Sequence, residues 1–162
     1  MAVVLVVCGV VSTQAKGETT RITVSGGDLR RPLDIADPAL IRQFNVWSGA
    51  GVTGPVAEPD GFIVHWPAGI TTEPPAHLAR YQLAFHVAGP KQPREAIAYV
   101  VTYVAGAAPE QGYVYLPGRG EPSYEMNTRS ILRGGEGHWF HASVAWARAA
   151  SRAIAAANTS AR

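Results

Sequence analysis

The sequence predicts a single α+β domain, in which a meander and an N-terminal hairpin form an antiparallel sheet of five to seven strands. A short early helix and a C-terminal helix packed on one face of the sheet complete this prediction. Several short segments alternate between apolar and polar residues, with the period of two that strands have. The 17 glycines and 12 prolines indicate many turns. An alanine-rich segment near the end of the chain favours one longer helix.

The hairpin is predicted from the start of the polar part of the chain. Ile22 and Val24 share one face of a first strand, and the turn residues Gly26-Gly27-Asp28 lead into a second strand over residues 29–35. Pro32 indicates that the second strand lies at an edge of the sheet, because proline has no N–H to donate to a ladder.

A short helix is predicted after the hairpin, because Asp37 is a good N-cap residue and Pro38 suits the first helical position. Residues 45–61 are rich in glycine, proline and small side chains, which indicates a long loop held by Trp47. Residues 62–66 then predict a short strand. The side chains expected on one side of the early helix are Leu40, Ile41 and Phe44.

Three consecutive strands are predicted in the middle of the chain, over residues 80–87, 96–104 and 112–116. Strands that follow one another with short connections usually pair as an antiparallel meander. In the first of them the apolar side chains on one face are Tyr81, Leu83, Phe85 and Val87.

The last part of the chain predicts a helix over residues 144–157, with Ser143 as its N-cap. Residues 138–142 precede this cap and predict a strand, whereas residues 126–132 fit either a short strand or one helical turn. The expected buried stripe of the helix is Val144, Ala147, Ala150 and Ile154.

The uncharged segment 1–15 predicts a signal peptide, followed by a globular domain over residues 16–162. Its apolar run is too short to span a bilayer, and small residues at Thr13 and Ala15 suit cleavage before Lys16. We therefore expect an exported protein, periplasmic or secreted, with no stable transmembrane segment after cleavage. No Lys or Arg precedes the apolar run, and a buried N-terminal strand is the alternative.

Composition limits the chemistry that the domain can perform. Signal cleavage would remove Cys8, the only cysteine, and with it any disulfide or thiolate metal site. A net charge of +2 is too small to indicate nucleic acid as a partner. The sequence contains no Gly-x-Ser-x-Gly motif and no phosphate-binding loop. We therefore predict no catalytic residue and no cofactor.

The two histidines at positions 138 and 141 have a spacing that could hold a metal on a helix. In the predicted strand, however, His138 and His141 point to opposite faces. We therefore predict no metal site.

Four tyrosines form the candidate ligand-binding site. If Val104 lies opposite Gly112, then Tyr103 lies opposite Tyr113 and Val101 opposite Tyr115. One face of the sheet would then carry an aromatic platform that could bind sugar rings or a peptide, unless the tyrosines pack beneath a helix or loop. The platform consists of Tyr99, Tyr103, Tyr113 and Tyr115.

Arg148 and Arg152 are the candidate anion-contact residues. They are four positions apart on the last helix, so they share a face, and residues 144–157 contain no acidic partner. This face is either simply solvated or contacts an anionic envelope polymer or lipid headgroup.

Several sequence segments resemble those of small exported bacterial proteins that carry no assigned activity. The resemblance covers most of the chain after residue 15; it implies export and no particular catalytic residue. The segments are Ile22-Thr23-Val24-Ser25-Gly26-Gly27-Asp28-Leu29, Pro32-Leu33-Asp34-Ile35, Asp37-Pro38, Phe44-Asn45-Val46-Trp47 and Gly112-Tyr113-Val114-Tyr115-Leu116-Pro117-Gly118-Arg119-Gly120.

Three functions remain open from the sequence. The leading hypothesis is a non-catalytic binding or accessory module that contacts another component of the bacterial cell envelope. The alternative is a small secreted hydrolase that acts on an envelope polymer, with His65, His86 or His141 as the base beside one of the loop carboxylates. A third is an accessory domain whose sheet edge near Pro32 pairs with a partner chain.

Overall fold

The computed structural model describes residues 17–52, 61–90 and 92–160. It confirms the α+β fold class: seven antiparallel strands form one sheet in the order β2-β1-β4-β5-β6-β7-β3. The strands are β1 (Glu18–Gly26), β2 (Leu33–Ile35), β3 (Ile70–Thr71), β4 (Arg80–Gly89), β5 (Gln92–Ala105), β6 (Gly112–Tyr115) and β7 (Trp139–His141). The helices are α1 (Pro38–Gln43), α2 (Tyr124–Ser130) and α3 (Val144–Ser160). The predicted signal peptide, residues 1–15, lies outside the described residues.

The predicted hairpin and early helix are confirmed, although the second strand of the hairpin begins at Leu33 rather than at residue 29. β1 pairs with β2 so that Ile22 lies opposite Ile35. The Asp37 carboxylate accepts a 2.8 Å hydrogen bond from the N–H of Ala39, which satisfies one of the free donors at the start of α1. Ile41 is buried on this helix, and Phe44, which follows it, packs into the core.

The predicted meander is also confirmed, and it continues from β6 into β7. The side chains of β4 alternate as expected, so that one face of the sheet carries the core and the other, which we call the outer face, is polar or half-exposed. All four predicted core side chains of β4 are buried: Tyr81, Leu83, Phe85 and Val87.

The predicted strand at residues 62–66 is wrong. In this segment Val64 forms an isolated bridge with Ala142, and a single 3₁₀ turn begins at Trp66. Phe62 has a φ of 72°, which is left-handed backbone that a strand cannot continue through. A continuous apolar run does not by itself distinguish a strand from other fully buried backbone.

The end of the chain follows the sequence prediction with one correction. Strand β7 and the N-cap are confirmed, since the Ser143 hydroxyl accepts a 3.2 Å hydrogen bond from the N–H of Trp146. Residues 126–130 belong to α2, whereas residues 131–132 lie beyond its end. Val144 is 50% exposed rather than buried, because fully buried Trp146, two positions on, lies on nearly the opposite side of the helix.

Helix α3 packs on the core face of the sheet through its tryptophan. The Trp146 ring meets Phe44 at 5.1 Å and Tyr103 at 6.0 Å between centroids, edge to face in both cases. Within the described ranges, no helix is long and apolar enough to cross a membrane.

Candidate functional site

The four predicted platform tyrosines do not share a face, because the predicted register of β5 and β6 is wrong by one residue. Tyr103 lies opposite Val114, and Tyr113 lies opposite Val104. Gly112 explains the shift: the Tyr103 ring occupies the space beside it, and a Cβ on Gly112 would lie 2.6 Å from that ring. A slip of one residue moves every side chain of a strand to the other face.

The structure therefore divides the predicted site in two. Tyr99 and Tyr103 are fully buried in the core. Tyr113 and Tyr115 lie half-buried on the outer face. Only the second pair can contact a ligand at the surface of this structure.

Two residues of β7, which the platform prediction did not include, complete an aromatic surface on the outer face. The ring of Tyr113 packs 5.4 Å from that of His141, and the ring of Tyr115 packs 5.0 Å from that of Trp139. We call these four residues the aromatic array. Residues two apart on a strand lie about 7 Å from each other, so the two ring pairs form a compact two-by-two surface.

Polar groups border the aromatic array. The guanidinium of Arg80 lies 5.4 Å from the centroid of the Trp139 ring and forms a 2.9 Å ion pair with Glu73. The Tyr115 hydroxyl donates a 3.0 Å hydrogen bond to Glu121. Partial burial raises the pKa of Tyr115, and the bond to Glu121 raises it further. The array thus offers flat apolar rings beside hydrogen-bonding groups whose charges are already engaged.

A second polar cluster, which we call the histidine network, lies on the outer face across β2, β1, β4 and β5. Arg21 bridges Asp34, at 2.9 Å, and Glu95, at 2.5 Å. The His86 ring lies among these groups, with Nε2 3.0 Å from the Thr23 hydroxyl and Nδ1 3.2 Å from the Arg21 guanidinium. The network therefore joins side chains from four strands: two from β1 and one each from β2, β4 and β5.

The proton positions in the histidine network follow from its charges. The hydrogen bond from Thr23, followed by Arg21, holds the pKa of Asp34 below its usual range, so this carboxylate can only accept. Thr23 therefore donates to Asp34, at 2.6 Å, and receives the Nε2–H of His86. Partial burial lowers the pKa of His86, and Arg21 lowers it further.

This arrangement is the reverse of nucleophile activation. A histidine that acts as a base must accept the hydroxyl proton, whereas here His86 donates to the hydroxyl and its Nδ1 accepts from Arg21. The His86 Nδ1 lies 3.7 Å from the Glu95 carboxylate. One of the three histidines that the sequence suggested as a base therefore lies near a carboxylate. The proton order therefore gives no support to His86 as the base of a hydrolase.

Arg148 and Arg152, the predicted anion-contact residues, are both exposed on α3. Their spacing of one turn places them on one face of that helix. Anion contact by this pair stays a prediction.

The fold and the site define an α+β domain with an open aromatic surface on its sheet. In the described part of the chain, no group of three or more histidine, cysteine or acidic residues could hold a metal ion. Comparison with known proteins finds no matching family model, no matching curated protein and no matching solved structure.

Proposed function

We propose that the protein is a non-catalytic, exported binding module of the bacterial cell envelope and that the aromatic array binds sugar rings of an envelope polysaccharide. The observation that carries the proposal is the pairing of Tyr113 with His141 and of Tyr115 with Trp139 on the outer face of the sheet. Flat aromatic rings pack on the apolar faces of sugars, while neighbouring hydroxyl groups offer hydrogen bonds.

The polar border favours an uncharged ligand. Arg80 is already paired with Glu73, and Glu121 accepts hydrogen bonds from the Tyr115 hydroxyl and, at 2.6 Å, from the N–H of Gly118. A strongly charged polymer would have to compete with these contacts. Sugar hydroxyls can add to them, because carboxylate and guanidinium groups retain further hydrogen-bonding capacity.

The apolar segment 1–15 and the resemblance to small exported bacterial proteins support the envelope location. We expect the exported product to begin at Lys16, and amino-terminal sequencing of protein recovered from the periplasm or the medium measures this. A mature chain that retains Met1 would contradict export by cleavage.

Replacing Trp139 or Tyr115 with alanine is expected to weaken binding to insoluble polysaccharide sacculi by at least about tenfold, because large aromatic side chains dominate such contacts. Depletion of the protein from solution by sedimented sacculi measures this. Both side chains lie on the outer face, so we expect circular dichroism and the thermal midpoint to show a folded chain.

Two histidines provide a matched control for the same assay. His141→Ala removes a member of the array and should reduce binding, whereas His138→Ala changes an exposed histidine outside it and should not. Equal binding by all four variants and the unaltered chain would exclude the array as the binding surface. Absence of any binding to sacculi would count against the polysaccharide itself.

A further inference from the structure

A cavity of about 440 Å³ lies between residues 29–33 and the C-terminal end of α3. Its volume falls in the range of small ligand sites, about 300–1,000 Å³. Its lining includes apolar side chains, among them Leu29, Leu33 and Ala156, together with Arg31 and the polar residues Asn158 and Ser160. A binding site here would therefore accept one apolar group beside a negative charge.

The cavity opens beside a sheet edge. Strand β2 is three residues long, begins at the cavity residue Leu33 and lies at one end of the strand order of the sheet. In the described structure it therefore has a neighbouring strand on one side only. The backbone N–H and C=O groups on the other side of an edge strand can pair with an added strand. An extended peptide beside an edge strand is a recurring mode of recognition, in which side-chain pockets supply the specificity.

The charge around the cavity selects the kind of peptide. Residues 144–160 of α3 contain no acidic side chain, and Arg152 lies one turn before the cavity residue Ala156. Two acidic residues adjoin the cavity in sequence, and both are engaged. Asp28 accepts hydrogen bonds from Tyr81, at 2.5 Å, and from Asn158, at 2.8 Å, and Asp34 forms a 2.9 Å ion pair with Arg21. Arg31 and Arg152 are both exposed, so they place positive charge beside the cavity.

We propose that this groove binds an extended acidic segment of a partner protein. The segment pairs with the free edge of β2, places one apolar side chain in the cavity and sets its acidic side chains against Arg31 and Arg152. A second copy of this chain fits less well, because a two-fold contact through β2 would bring the arginines of both copies together. This site is separate from the aromatic array and does not depend on its function.

A labelled peptide tests the proposal directly. The probe is a fluorescein-labelled octapeptide in which aspartate alternates with valine around one central leucine, titrated with the purified protein by fluorescence anisotropy. We expect saturable binding and at least about tenfold weaker binding when lysine replaces every aspartate. Hydrogen exchange of the backbone amides at residues 33–35 should slow when the aspartate peptide is bound, because strand pairing protects them.

Two variants test separately how much the positive charge and the cavity contribute to peptide binding. Arg31→Glu should weaken binding of the aspartate peptide at least about tenfold, and Ala156→Trp should do the same by filling the cavity from an exposed helix position. Arg129→Glu, an equal change at an exposed site on α2, should leave binding unchanged.

Three outcomes would overturn the proposal: no binding of the aspartate peptide, equal binding of the lysine peptide, or unchanged binding by Arg31→Glu. Self-association that Arg31→Glu abolishes in sedimentation velocity would identify a second copy as the occupant instead. Binding to phosphatidylglycerol vesicles without binding to the aspartate peptide would identify a membrane surface.

Discussion

Replacing Arg133 with methionine is expected to lower the free energy of unfolding by about 3 kcal/mol or more. Arg133 is 5% exposed and donates hydrogen bonds to three backbone carbonyls, those of Val46, Ser48 and Ala50, at 2.6 to 2.9 Å. Methionine fills a similar volume but leaves these buried acceptors without their donor, at roughly 1–3 kcal/mol each. Because methionine carries no charge, the variant no longer bears the cost of burying one, and this offsets part of the loss in stability.

The surroundings of Arg133 explain why its charge is tolerated. Its guanidinium lies 4.2 Å from the centroid of the Phe62 ring and 5.0 Å from that of Tyr99, within the range of cation–π attraction. Burial lowers the pKa of Arg133, as expected for a cation removed from water. Through these contacts one side chain fixes residues 46–50 and the left-handed Phe62 to the sheet.

Chemical denaturation of the two proteins in parallel measures the effect, and Arg129→Met is the matched control. Arg129 is exposed on α2, so its replacement should change stability by no more than about 0.5 kcal/mol. Arg133→Lys should be intermediate, because lysine keeps the charge but lacks the planar fork that spans several carbonyls. A loss for Arg133→Met that does not exceed that of the control would refute this account of the loop.

Nothing in the sequence around Arg133 signals its burial. Arginine is mostly exposed in proteins, and Leu132-Arg133-Gly134-Gly135 looks like an ordinary surface turn. Its hydrogen-bond partners lie more than 80 positions earlier in the chain, in a segment that was predicted as a loop held by Trp47. Trp47 does pack against the core, but the polar contacts of the loop depend on tertiary structure that no local pattern encodes.

Elements with strong local signals were predicted well. The alternation in β4, the turn glycines of the hairpin and the N-cap of α3 each depend on residues close together in sequence, and all three are confirmed. This is why the fold class could be predicted without knowledge of the register.

The candidate site was predicted only in part, because both faces of β6 carry large side chains. Val114 alternates with Tyr113 and Tyr115, so hydrophobicity alone does not decide which face meets the core. The packing of Gly112 against Tyr103 decides it, and that contact depends on the register itself. Trp139 and the rest of β7 could be recognised as part of the site only once β7 was seen to pair with β6.

Replacing Asn127 with leucine is expected to lower the free energy of unfolding by about 2–4 kcal/mol. Asn127 is fully buried on α2; its Oδ1 accepts from the N–H of Val100, at 2.8 Å, and its Nδ2 donates to the C=O of Val100, at 2.6 Å. The pairing of β6 with β5 begins at Thr102, so the amide of Asn127 takes the place of a strand residue beside Val100. Leucine leaves a buried donor and a buried acceptor unpaired, at roughly 1–3 kcal/mol each.

Asn127→Asp tests the contribution of the Nδ2 donor while keeping the Oδ1 acceptor at the same site. An ionised carboxylate keeps the bond from the Val100 N–H but cannot donate to the Val100 carbonyl, whereas a protonated carboxyl group can do both. Burial and the facing carbonyl raise the pKa of the introduced group in the folded state, so the folded protein gains the proton first on acidification. The deficit of Asn127→Asp relative to the unaltered protein, measured by denaturant unfolding between pH 7 and pH 4, should therefore shrink as the pH falls. A deficit that stays constant over this range would mean that the Val100 carbonyl does not need the Asn127 donor, and the edge of β5 would then have another source of stability.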